Sequence, residues 1–194
     1  MFAASVVMPL GAILQEVRGF LEHAKAHPEQ LFLVSRIGSG FAGHGNAAHA
    51  IRDAFLEAPP NCLLPGVWEM SREPDHIRLV IAGTRDFDDY NFLQAKLDFL
   101  LQRYSKIAVV SGRCPGADLL GERFADERGL PICYMPPAWK RLGRPAGPIR
   151  NGSMAWYGTH LVAFWNGISD GTKGMIDLAE GGGLLSRVVR YDQH

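Results

Sequence analysis

Three stretches of this sequence gather residues that could hold an anion. IRLVIAG runs into Gly83, Thr84, Arg85 and Asp86; KIAVV runs into Ser111, Gly112, Arg113, Cys114, Pro115, Gly116, Ala117 and Asp118; HLVAFW runs into Asn166, Gly167, Ser169, Asp170, Gly171 and Thr172. Glycine lets a backbone approach a ligand closely, and the N–H groups of a helix start, aided by its dipole, favour negative charge. The same residues have a purely structural use: Ser169, Asp170 and Thr172 cap a helix, and the glycines close a turn. One such loop decides little. Three at one edge of a sheet point to a pocket.

The segment PAWKRLGRPAGPIRN, residues 137 to 151, adds Lys140, Arg141, Arg144 and Arg150. Its Gly and Pro content suggests a flap, and arginine grips phosphate oxygens through a planar fork. Lys140 and Arg141 read as a solvated basic surface. Arg150 and Asn151 fall in the first turn of a helix that the proline of GPIRN can open, close to the strand ends. Trp139 either stacks on a base or packs; Trp165, beside a strand, reads as core.

The elements that must position these residues alternate. From residue 77 the order is strand, helix, strand, helix, strand, a long loop, a helix from about 147, strand, helix and a final strand SRVVRY. β-branched apolar runs between amphipathic helices indicate an α/β fold, Rossmann-like, with a parallel sheet covered on both faces. Ligands of such sheets lie beyond the carboxyl ends of the strands. Ahead of it, the proline-rich stretch at 57 to 76 reads as a linker with a boundary near 70 to 76. Residues 1–70 then form a short α/β appendage with helix candidates at 10 to 26 and 47 to 57 and an apolar run at 31 to 35. That is too few elements for a core of their own.

Composition narrows the function. Lys+Arg and Asp+Glu are 20 each, so no overall field draws the chain to nucleic acid or an anionic membrane. Cys62, Cys114 and Cys133 have neither CxxC nor Cys/His spacing and read as free thiols of a reducing cytosol, with no metal site and no cofactor. No apolar run is long enough to span a bilayer, and MFAASVVMPLG lacks the features of a signal peptide. The expectation is a cytoplasmic protein.

VIAGTRDFDDYNFLQAKLD, VVSGRCPGADLLGERFADERGLPI, WKRLGRPAGPIRNGSMAWY and AFWNGISDGTKGMIDLA together resemble the YspA-like branch of the SLOG superfamily, over residues 76–192. The resemblance implies a Rossmann-like fold and a pocket for a nucleotide or nucleotide-derived ligand, with phosphate at the helix start of Gly171 and Thr172. It assigns Gly83, Thr84 and Arg85 to the first-strand loop and Ser111, Gly112, Gly116, Ala117 and Asp118 to the second. The phosphoribohydrolases of this superfamily follow the Gly-Thr pair with a catalytic glutamate. This chain has Met175 there. Asp118 either replaces the missing acid, held ionised at a helix start, or bonds loop N–H groups as a structural carboxylate. Arg113 stands where the branch reads Gly, and either contacts phosphate or narrows the pocket.

RIGSGFAGHG, residues 36 to 45, is similar to the phosphate-binding loop of macrodomains, and residues 1–70 resemble the tail half of a macro-like module. Either this is a truncated relative, or the segment packs on the sheet or forms a dimer, which would make a homo-oligomer. The expected function is a sensor of an ADP-ribose-like or mononucleotide ligand, in the setting of phage and host conflict, binding without turnover. The alternative is a hydrolase of the ligand's N-glycosidic or phosphate linkage. Single-stranded DNA binding of the DprA kind ranks below both, because the basic residues form no continuous groove.

Overall fold

Leu10, Ile13, Leu14, Val17, Leu21 and Ala24 recur three and four residues apart, and this stripe folds as α1 (Leu10–Ala26). Its carboxyl end is held by Asn61, whose amide lies 3.0 Å from each of the carbonyl oxygens of Ala24, His27 and Gln30. Then come β1 (Phe32–Leu33), α2 (Ala47–Ala54), β2 (Cys62–Leu63) and α3 (Gly66–Glu69). The computed structural model describes residues 8–35, 47–70 and 75–191. The macrodomain-like loop at 36 to 45 lies outside the described residues.

The chain divides into two compact units, Met1–Arg72 and Glu73–His194. The first has a core after all: Val17, Leu21, Ala24, Ile51, Phe55 and Trp68 form one buried cluster. A count of regular elements misses it because the cluster is closed by large aromatic side chains, Phe55 against Trp68 at 5.3 Å between ring centres.

The second unit contains β3 (His76–Gly83), α4 (Tyr90–Leu101), β4 (Lys106–Ser111), α5 (Ala117–Glu127), β5 (Ile132–Tyr134), α6 (Trp139–Leu142), α7 (Ala146–Tyr157), β6 (His160–Trp165), α8 (Asp170–Gly181) and β7 (Leu185–Arg190). The strands form a parallel sheet in the order β5-β4-β3-β6-β7. The chain starts at the central strand, builds outward on one side, then crosses to the other. The reversal between β3 and β6 opens a crevice at the carboxyl ends.

Ile77, Leu79, Ile81, Val162 and Phe164 face α4 and α5, packed on Leu93, Leu97 and Phe124. Gly121 lets α5 lie close to the sheet, since a Cβ there would be 2.8 Å from Ile81 Cγ2. α7 and α8 cover the opposite face, where Gly158 fits against Val80 and Leu184. Asp89 accepts from the Phe92 N–H at 2.8 Å and caps α4.

At the amino-terminal edge a chain of hydrogen bonds ties β6 to β3. Arg103 donates to the Tyr104 hydroxyl at 3.0 Å, which lies 3.0 Å from His160 Nε2, and His160 Nδ1 lies 2.9 Å from Thr159 Oγ1. Thr159 Oγ1 accepts from the Arg78 N–H at 2.9 Å and donates to the Arg78 carbonyl at 3.3 Å. Because the Tyr104 oxygen already accepts from Arg103 and the Thr159 proton goes to a carbonyl, the self-consistent pattern has Tyr104 donating to Nε2 and Nδ1–H donating to Thr159. His160 is buried and neutral: burial, then the Arg103 charge, push its pKa down to about 4.

Candidate ligand-binding site

A cavity of about 260 Å³ opens at the carboxyl ends of the strands, on the β3–β6 side. Ala82, Gly83 and Arg85 line it from β3 and its loop, and Cys114 and Asp118 from the β4–α5 turn. Its walls are two helical stripes: Gly147, Arg150, Asn151 and Met154 of α7, and Gly171, Gly174, Met175 and Leu178 of α8. Each stripe repeats at three and four residues, so each is one face of its helix.

α8 begins as a capped helix. Ser169 Oγ accepts from the Thr172 N–H at 3.4 Å and from Thr172 Oγ1 at 3.1 Å, which directs its own proton elsewhere. Asn166 Oδ1 accepts from the N–H groups of Ile168 and Ser169 at 3.0 and 3.1 Å, and the Asn166 N–H donates to Thr84 Oγ1 at 3.3 Å. Asp170 and Gly171 supply first-turn N–H groups with no acceptor inside the helix. A Cβ on Gly171 would meet no atom within 4 Å. Asn151 donates to the Gly171 carbonyl at 3.4 Å, joining α7 to this turn.

Arg150 crosses to the β4 loop. Its Nη2 lies 3.2 Å from Cys114 Sγ and its Nη1 is 3.5 Å from Asp118 Oδ2, with the two side chains only 11% and 5% exposed. The guanidinium lies where a Cβ on Gly112 would be, so Gly112 is glycine to make room for an arginine from α7. Asp118 also accepts from the Cys114 N–H at 3.4 Å and from the backbone of Gly112. Burial raises its pKa to about 6, against the lowering effects of Arg150 and those N–H groups, with Glu122 adding to the rise. Desolvation thus outweighs the charge and the N–H groups that favour the ionised form, which still prevails at neutral pH.

Of the expected site residues, Gly83, Arg85, Asp118, Arg150, Asn151, Ser169, Gly171 and Thr172 line the cavity. Most of the others lie behind it, and Gly83 also helps to join its loops. Gly83 and Gly116 let the β3 and β4 loops touch: a Cβ on Gly83 would lie 2.7 Å from that of Ala117, and one on Gly116 would lie 2.8 Å from the Arg85 carbonyl. Ser111 donates to buried Glu122 at 2.6 Å, while Thr84 anchors the β6 loop. Gly167, at φ 89°, turns that loop beneath Arg190. Arg113 neither contacts the cavity nor narrows it: at φ 57° it turns outward, its guanidinium 4.8 Å from the Tyr134 ring centre. Trp139 is 48% exposed and lines the cavity, and Trp165 is only half-buried beneath Arg190.

Gly147, Met154, Gly174 and Leu178 carry no signal of their own in the sequence, although each is one helical turn from a residue that does. Among the described residues no group of three His, Cys, Asp or Glu could hold a metal, and no helix is long and apolar enough to cross a membrane.

Residues 77–142 match the model of the YspA, cpYpsA-related SLOG family. No curated protein sequence matches the chain. Among solved structures, the X-ray structure of DNA processing protein A (DprA) from Streptococcus pneumoniae is similar, with a TM-score of 0.52 at 14% identity. The match covers 92% of this chain and 82% of that one. At this identity the likeness is one of fold.

Proposed function

We propose that the second unit, which carries the SLOG family segment, binds a nucleotide or nucleotide-derived ligand, with its phosphate against the first turn of α8. The observation that carries this reading is convergence on one cavity. The open first turn at Asp170 and Gly171, the Arg85 and Arg150 side chains and the Asn151 amide all line it. A helix start offers N–H donors to phosphate, and arginine adds charge-assisted bonds. Trp139 at the rim offers a ring face to a base.

Binding without turnover follows from Met175, which is 2% exposed and lines the cavity where a carboxylate would be needed. A second reading, hydrolysis of the ligand, rests on Asp118, whose pKa of about 6 suits a general acid or base. Calorimetry of the full chain with AMP and ADP-ribose tests the first reading. A Cβ at Gly171 has open space around it, so Gly171→Val should leave the fold intact and weaken binding by at least about tenfold. Equal affinity of variant and wild type refutes this site. Chromatography of the same mixtures tests the second: free base or ribose phosphate released by wild type and not by Asp118→Asn would establish turnover.

A further inference from the structure

Arg150 is held in an incomplete environment. Its Nε and Nη1 are buried without a hydrogen-bond partner among the described residues, and Asp118 stands at ion-pair distance, 3.5 Å. The Asp118 carboxylate faces Arg150 of α7, Glu122 one turn along α5, and the backbone N–H groups of Gly112 and Cys114 in the β4 loop. Arg85 and Asp170 line the same cavity. A phosphate entering here takes up the unpartnered Nε and Nη1 donors of Arg150, draws on the charge that Asp118 faces at 3.5 Å, and brings like charge close to a desolvated carboxylate.

Resting on the anion site proposed above, we infer that Asp118 sets the affinity of anionic ligands: the ligand takes over Arg150, and Asp118 binds one proton from solvent as it enters. No bond of the ligand breaks; one proton moves from buffer to the carboxylate. The protonated carboxyl then becomes a donor to the anion that replaced it. Burial already raises the pKa of Asp118 to about 6, so at neutral pH it is mostly ionised and free to take that proton.

The test is calorimetry of the full chain with ADP-ribose, whose diphosphate diester keeps its charge near neutral pH, in two buffers of different ionisation enthalpy. Wild type should take up about half to one proton, and its affinity should tighten by up to about tenfold per pH unit between about 8 and 7. Asp118→Asn should bind with no proton exchange and a flat pH profile, whereas Glu122→Gln should keep the uptake. Binding by wild type without proton uptake, or uptake that survives in Asp118→Asn, overturns the inference and leaves the nucleotide reading standing. Absence of ADP-ribose binding overturns the inference, and absence of AMP binding as well overturns the nucleotide reading.

Discussion

Two buried titratable groups at opposite ends of the same sheet should oppose each other as pH falls, and removing either should expose the other. The pKa of His160 drops from 6.5 to about 4 on folding. Below pH 6.5 the unfolded chain protonates this ring and the folded chain refuses the proton, so stability is lost until the pH reaches about 4. Asp118 rises from 3.8 to about 6, so the folded chain takes a proton that the unfolded chain does not. Its contribution is lost as pH climbs through that window and regained as pH falls. A tenfold change in proton affinity is equivalent to about 1.4 kcal/mol, so each group is worth roughly 3 kcal/mol, with opposite signs. Urea unfolding followed by tryptophan fluorescence, at several pH values between about 4 and 7, measures the balance. Relative to wild type, Asp118→Asn should lose about 2–3 kcal/mol on acidification across the window, and His160→Gln should gain a similar amount. The first unit contributes equally to all three proteins. Difference curves of the same sign, or a His160→Gln curve parallel to wild type, would refute the argument.

Gly112→Ala places a methyl where the Arg150 guanidinium lies; it should cost about 1–3 kcal/mol by overpacking and weaken nucleotide binding in the same calorimetric assay. Arg113 sits at φ 57°, so Arg113→Val should destabilise by more than about 1 kcal/mol in urea, because a branched Cβ tolerates that region poorly. Arg113→Gly should stay within about 1 kcal/mol of wild type, since relief of strain is offset by chain entropy and by the lost contact with Tyr134.

The sheet and the α8 cap are legible in the sequence for one reason: both are local. Apolar runs fix strands, and Ser169 sits next to the helix it caps. What cannot be read is what one loop does to another. Nothing near Gly112 announces that an arginine 38 residues later will occupy its side-chain space, because that neighbour is set by the crossing from β5 to β6. The direction of Arg113 is likewise a matter of its φ and of Tyr134 on the neighbouring strand. In the sequence Gly83 and Gly116 look like glycines for a ligand; both serve the contact between two loops, Gly83 while also lining the cavity, and glycine alone does not distinguish the two uses. The α7 and α8 stripes are within reach of the sequence once helical spacing is followed outward from Arg150 and Gly171.

The seam between β3 and β6 also sets when the cavity comes into being during synthesis. β3 meets β4 after about 30 residues, whereas Arg78 bonds Thr159 across a separation of 81. The entropy of closing the longer loop exceeds that of the shorter by only about 1 kcal/mol, so it is the order of emergence that delays β6. A nascent chain that has exposed β3, β4 and β5 has one half of a sheet and the Asp118 side of the crevice. It has neither the α8 turn nor a partner strand to fix α7. β6, α8 and β7 therefore complete the sheet and supply the α8 wall of the cavity. At ribosomal speeds of about 5–20 residues per second, the bare edge of β3 waits several seconds for its partner. In that interval a soluble anion has nothing to hold, and an unpaired strand has every reason to find another.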